Sequence, residues 1–128
     1  MNPAIELEGL RIVRGGNTIL DDVTVSVTEG MITGLLGPSG CGKTTLMRTV
    51  VGNQKITAGS ATVLGHPAGA TSLRRRIGYV TQSPSIYGDL TTVENVRYFA
   101  ALYGIGKHRV HEVVEAVGLN GQKSDLAG

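Results

Sequence analysis

Eight consecutive residues, Gly37-Pro38-Ser39-Gly40-Cys41-Gly42-Lys43-Thr44, fit the pattern G-x-x-x-x-G-K-[ST] in full. Few folds accommodate such a loop. Its glycines let the backbone wrap so that successive N–H groups converge on a phosphate, a shape that a Cβ would obstruct. A helix starting near Lys43 adds the partial positive charge of its N-terminus, which favours an anion there. Lys43 reaches β- and γ-phosphate oxygens as a compact charge, and Thr44 presents a hydroxyl to Mg²⁺. Taken as residues alone, the segment is also compatible with a glycine-rich turn carrying a surface lysine. Its setting favours phosphate: the apolar run Met31 to Leu36 leads into Gly37, and Thr44 to Val51 has a helical pattern. The implied ligand is a nucleoside triphosphate, with ATP the expected one. Cys41 sits at a variable loop position and reads as a small filler rather than a nucleophile.

The bulk of the chain sets outer limits. Its 128 residues suffice for one small domain, and 41% apolar with 17% charged residues is a globular composition. A formal charge of +2 creates no general field for nucleic acid, and no nucleic-acid partner is expected. The single cysteine, Cys41, cannot form an internal disulfide, which fits a reducing cytosol. The opening residues lack the basic start and long apolar stretch of a signal peptide. No apolar run approaches the roughly 20 residues needed to cross a bilayer, so any membrane connection is expected through a partner.

Along the chain, Ile5, Leu7 and Leu10 begin a strand-like alternation, and Gly15-Gly16-Asn17 marks a turn. Val23, Val25 and Val27 alternate with Thr24, Ser26 and Thr28, the period of a half-buried antiparallel strand. Met31 to Leu36 and Ile77 to Val80 are expected as strands, the first in the middle of a parallel sheet. Gly59 to Leu64 is a further strand, and Leu73 to Arg76 a brief helical turn. Thr91 with Glu94 forms a capping box ahead of a helix that places Val93, Val96, Ala100 and Tyr103 on one side. A final helix sets Val110, Val113, Val114 and Val117 on one face and ends at Gly118. Met31 and Met47 read as core. The expected architecture is α/β: N-terminal antiparallel strands, a partial parallel core sheet and helices, with too few parallel strands to complete it.

The phosphate loop alone does not choose among kinases, GTPases, recombinases and transport ATPases. Downstream, Arg75-Arg76-Ile77-Gly78-Tyr79-Val80-Thr81-Gln82 followed by Leu90-Thr91-Thr92-Val93-Glu94-Asn95-Val96 resembles the Q-loop region of ABC-transporter ATP-binding subunits. Leu20-Asp21-Asp22-Val23 and Ser26-Val27 resemble that family's N-terminal antiparallel sheet. Asp89-Leu90-Thr91, Phe99-Ala100 and Leu102-Tyr103-Gly104 are most similar to drug- or antibiotic-exporting systems. The resemblance implies a P-loop NTPase fold of the ABC ATPase kind. Residues 1–88 would be the core with the phosphate loop and Q-loop, and residues 89–128 the start of the helical subdomain that docks on a membrane-spanning subunit. It implies ATP hydrolysis in the intact protein, a head-to-tail pairing with a second ATP-binding subunit, and a peripheral place at the inner face of the cell membrane. Nucleotide-contacting residues would run from Gly37 through Thr45. Gln82 would direct its amide oxygen toward Mg²⁺ and the attacking water, sharing the ion with Thr44, while Lys43 stabilises phosphate charge.

Two departures from the family pattern stand out. Where the family places an aromatic residue against adenine, this chain has Val13-Arg14-Gly15-Gly16. Arg14 could stack its guanidinium on the base; equally it could be a solvated loop arginine. The Leu-Ser-Gly-Gly-Gln signature, the Asp-Glu strand and the switch histidine are absent from these 128 residues. The expectation is therefore an N-terminal half that binds Mg-nucleotide and does not turn it over alone. Two other readings remain open: a non-catalytic nucleotide-binding module, and a soluble ABC ATPase of translation or DNA repair. His108 and His111, three apart on a helix, read as a solvated face rather than half of a zinc site, and Arg74-Arg75-Arg76 as a solvated edge.

Overall fold

The computed structural model describes residues 2–127, which fall into two compact units divided between Ile77 and Gly78. In the first unit, β1 (Pro3–Arg14) and β2 (Asn17–Thr28) pair antiparallel across the Gly15-Gly16 turn. β3 (Ala58–Val63) pairs antiparallel with the other edge of β1, and the short β4 (His66–Pro67) closes the sheet in the order β2-β1-β3-β4. The helix α1 (Lys43–Val50) lies on this sheet. Leu7, Leu10, Ile12, Leu20 and Ala61 supply the buried core, and Leu46 and Val50 of α1 pack against it. The apolar face of the hairpin and two helical positions four apart thus meet as their periodicities dictate.

In the second unit, α2 (Thr92–Leu102) packs with α3 (Lys107–Ala116). The capping box at its start is complete: the Glu94 amide donates to the Thr91 hydroxyl (3.2 Å), and the Thr91 amide donates to Glu94 Oε1 (2.9 Å). Chain beyond α3 returns to the same point. The amides of Thr92 and Val93 donate to the carbonyls of Asp125 and Lys123, and that of Ala127 to Leu90. Val110 and Val114 are buried, whereas Val113 and Val117 are exposed, so the buried stripe of α3 is narrower than its valines suggest.

The expected strands at Met31 to Leu36 and Ile77 to Val80 are not strands among the described residues, and the one sheet present is antiparallel throughout. Ile32, Leu36 and Val80 are almost fully exposed, and Met31 and Met47 are 62% and 46% exposed rather than core. A strand exists only where a second segment satisfies its N–H and C=O groups. The amide of Met31 bonds only into the preceding turn, to the carbonyl of Thr28 (3.4 Å). An apolar run encodes a preference for burial, not the neighbour that would deliver it.

The capping box carries a pH signature. Hydrogen bonds from the backbone amide and side chain of Thr91 hold the Glu94 carboxyl below its ordinary pKa. Its stabilisation is therefore complete above the unfolded carboxylate range and fades as pH falls toward the lowered folded value. Far-UV circular dichroism should show helix content falling on acidification through that range, with a smaller fall in Glu94→Gln. Identical profiles for the two proteins would refute the assignment.

Candidate functional site

Residues 31–41 are exposed, and the loop turns into α1 at Gly42. Gly42 has φ 99° and lies so close to β2 that a Cβ there would fall 2.7 Å from Leu20 Cδ2 and 3.2 Å from the Ile19 carbonyl oxygen. Only glycine meets both conditions. Gly40 is also left-handed, φ 81°, with open space around it. Leu46 starts the helical ladder by donating to the Gly42 carbonyl (2.9 Å), and no side chain caps the helix. The first N–H groups of α1 therefore face the loop without an intrahelical or side-chain acceptor, as an anion requires.

Lys43 folds back over the loop. Its Nζ donates to the carbonyl of Gly37 and to that of Pro38 (2.8 Å), and lies 3.8 Å from Cys41 Sγ. No carboxylate pairs with it among the described residues. Its charge is thus met only by neutral groups and remains available to an anion. A triphosphate fits these residues: the loop has open space at Gly40, the helix N-terminus has no side-chain cap, and Lys43 has no carboxylate partner among the described residues. Thr44, exposed in the first turn of α1, suits a magnesium ion bound to that phosphate.

Of the residues singled out from sequence, the structure thus brings Gly37, Pro38, Cys41 and Lys43 into mutual contact, with Ser39, Gly40, Gly42 and Thr44 in the same loop and turn. Thr45 is buried, 6% exposed, and its hydroxyl accepts from Arg14 Nη2 (3.2 Å). Arg14 Nη2 also donates to Gln54 Oε1 (2.6 Å). Gln82 belongs to the second unit, in an exposed bend where the Thr81 hydroxyl donates to the Ser83 carbonyl and lies 2.9 Å from Ser85 Oγ. His108 and His111 are exposed on α3, and no group of three or more His, Cys, Asp or Glu able to hold a metal exists among the described residues.

Two residues, one in each unit, organise the surroundings of predicted site residues and were not singled out from sequence. Gln54, in the loop after α1, has no pattern to mark it. Asn95 is 5% exposed and organises the segment after Gln82: its amide group donates to the carbonyls of Tyr87 (2.9 Å) and Thr91 (3.1 Å), and its Oδ1 accepts from the Tyr87 amide (2.8 Å). An asparagine in the first turn after a capping box is a visible signal for such a role.

The loop geometry predicts an ordered pair of outcomes. Gly40→Ala should cost about 1–2 kcal/mol, the strain of a left-handed residue with free space. Gly42→Ala should cost more, by about 1–3 kcal/mol of overpacking against β2. Equal costs in urea denaturation would refute the close approach.

Comparison with known proteins supplies independent findings. The ABC transporter family matches residues 20–128. The chain is 41% identical over 120 residues to the uncharacterized ABC transporter ATP-binding protein YdbJ of Bacillus subtilis (strain 168), covering 91% of this chain and 39% of that protein. It is 34% identical over 116 residues to the Nod factor export ATP-binding protein I of Rhizobium sp. (strain N33), covering 89% and 38%. Over 124 residues it is 36% identical to the Fe(3+) ions import ATP-binding protein FbpC 2 of Rhodococcus jostii (strain RHA1), covering 94% and 36%. A solved structure of the ATP binding subunit of an ABC transporter superposes with a TM-score of 0.85 at 25% identity, covering 96% of this chain and 54% of that one. The α/β fold is thus that of the P-loop NTPases. The chain spans about two-fifths of the length of the curated relatives it matches.

Proposed function

This chain belongs to the ABC transporter family of ATP-binding proteins, and from that membership we propose that its loop from Gly37 to Thr44 holds the triphosphate of ATP, with Mg²⁺, in a subunit that energises transport through a membrane-spanning partner. The observation that carries the reading is the uncapped N-terminus of α1 beneath an ammonium group whose only partners are neutral.

The bound nucleotide supplies the phosphoanhydride whose cleavage drives the intact protein. This chain's residues supply its binding. The amides at Gly40 and Gly42 and in the first turn of α1 would offer donors to phosphate oxygen, with no Cβ at either glycine to obstruct the approach. Lys43, which donates to the Gly37 and Pro38 carbonyls, would give its charge to the phosphate oxygens, charged acceptors in place of neutral ones. The Thr44 hydroxyl would hold the magnesium ion on α1, and Thr45, whose buried hydroxyl is taken by Arg14, would join the nucleotide-contacting set through its backbone amide. To Gln82 we assign the ion and water side of the reaction, on its place in the Thr-Gln-Ser-Pro segment that resembles the family's Q-loop. Residues 1–88 are then the nucleotide-binding core, and residues 89–128 open the helical subdomain.

The partners proposed are a membrane-spanning subunit and a second ATP-binding subunit, and the place is the cytoplasmic face of the membrane. Among the described residues no helix is long and apolar enough to cross a membrane. Export is the direction we favour, on Asp89-Leu90-Thr91, Phe99-Ala100 and Leu102-Tyr103-Gly104 and on similarity to a protein named for Nod factor export. Loss of the gene should then raise cellular retention of an expelled compound. A selective loss of solute uptake would instead assign import, as in the protein named for Fe(3+) import.

Binding is tested by titrating Mg-ATP into the protein and its Lys43→Ala variant. Removing one charged donor should weaken affinity by at least about tenfold, the scale of a charge-assisted hydrogen bond. Equal affinity in the two proteins would remove phosphate binding from this loop.

A further inference from the structure

Arg14 ends β1 at the hairpin turn, and the structure uses its guanidinium in a way that neither a base contact nor a solvated loop residue requires. One nitrogen, Nη2, donates both to the Thr45 hydroxyl (3.2 Å) in the first turn of α1 and to Gln54 Oε1 (2.6 Å) in the loop that follows the same helix. The loop end of this link is itself secured. The Gln54 amide group donates to the Lys55 carbonyl (3.2 Å), the Val13 amide donates to the Thr57 hydroxyl (2.9 Å), and the Thr57 amide donates to the Arg11 carbonyl (3.0 Å). On the helix end, Thr45 is buried and its carbonyl accepts from the Thr49 hydroxyl (2.8 Å). Arg14 therefore joins two anchored points, one at each end of α1, to the tip of the β1–β2 hairpin. Beneath the same helix start, β2 presses on Gly42 through Ile19 and Leu20. The hairpin thus holds the first turn of α1 at two places, Gly42 and Thr45, on either side of Lys43 and Thr44.

We propose that Arg14, clamped by Gln54, is a positioning residue that fixes the first turn of α1 and with it the direction of the phosphate-facing N–H groups. This deepens the nucleotide-binding reading and rests on it. Anion binding by backbone donors depends on aim, because a donor displaced or tilted loses most of its hydrogen bond. The clamp acts on the helix that carries the donors and touches no base. Its removal therefore weakens every nucleotide alike, whereas an arginine stacked on the base would act on ATP selectively. Arg14 has no carboxylate partner among the described residues, so it also leaves a positive charge beside the phosphate loop. Gln54→Glu separates the two contributions, since it keeps the link and neutralises the charge.

The test is a binding series with Mg-ATP, Mg-ADP and Mg-GTP on the protein and on Arg14→Ala, Gln54→Ala, the double variant and Gln54→Glu. Arg14→Ala should weaken all three nucleotides by a similar factor of about tenfold, the scale of one charge-assisted hydrogen bond. The double variant should be no weaker than Arg14→Ala alone, because both changes open one link. Gln54→Glu should stay within about threefold of the parent, as expected where aim outweighs one more partly exposed charge. A loss confined to ATP, additive losses, or Gln54→Glu falling as far as Arg14→Ala would each overturn the proposal. A second measurement needs no nucleotide. The Leu46 amide, bonded to the Gly42 carbonyl, should exchange its hydrogen faster in Arg14→Ala and Gln54→Ala. Unchanged exchange overturns the clamp even where nucleotide binds, and faster exchange without nucleotide binding refutes only the wider reading.

Discussion

Gly42 approaches β2 so closely that a Cβ there would press on the Leu20 side chain and the Ile19 carbonyl. The rest of the site depends on this approach. It sets where α1 begins and puts its first N–H groups at the mouth of the loop. It also brings Leu46 and Val50 onto the hairpin core, so burial of apolar surface holds an arrangement that the loop could not hold unaided. An anion site made of backbone donors gains its strength from being fixed in advance of the ligand. Here the fixing is done by the hydrophobic face of two antiparallel strands.

The electrostatics complement that geometry. Lys43 sits on two loop carbonyls, those of Gly37 and Pro38, which satisfy the ammonium with neutral acceptors. On the proposed function, exchanging these neutral acceptors for phosphate would cost few net hydrogen bonds and add charge attraction. A lysine tied to a carboxylate would have to surrender an ion pair first.

Much of this was legible in the residues themselves. The eight-residue motif located the loop and the start of α1 to within a residue. The Val23–Val27 alternation and the Gly15-Gly16 turn foretold the hairpin, and Thr91 with Glu94 foretold the capping box. The strands expected at Met31–Leu36 and Ile77–Val80 are not formed among the described residues, because whether an apolar run pairs as a strand depends on other segments. Val113 and Val117 show the same limit on a helix: periodicity marks the face that can be buried, and the neighbouring helix decides how wide a stripe is. Gln54 escaped notice for a different reason. A lone glutamine in a loop gains meaning only when the chain folds and brings Arg14 to it, more than thirty residues away in sequence.

The central claim is that phosphate is held by the backbone from Gly40 to Thr44 on a helix start fixed in advance. Amide nitrogen–proton spectra recorded during a Mg-ATP titration test it most directly. The account predicts that the signals of Gly40, Gly42, Lys43 and Thr44 move the most and move together, while those of the β1–β2 core, such as Leu10 and Ile12, stay in place. Shifts that spare these loop amides, or that spread through the hairpin core as the ligand binds, would contradict it.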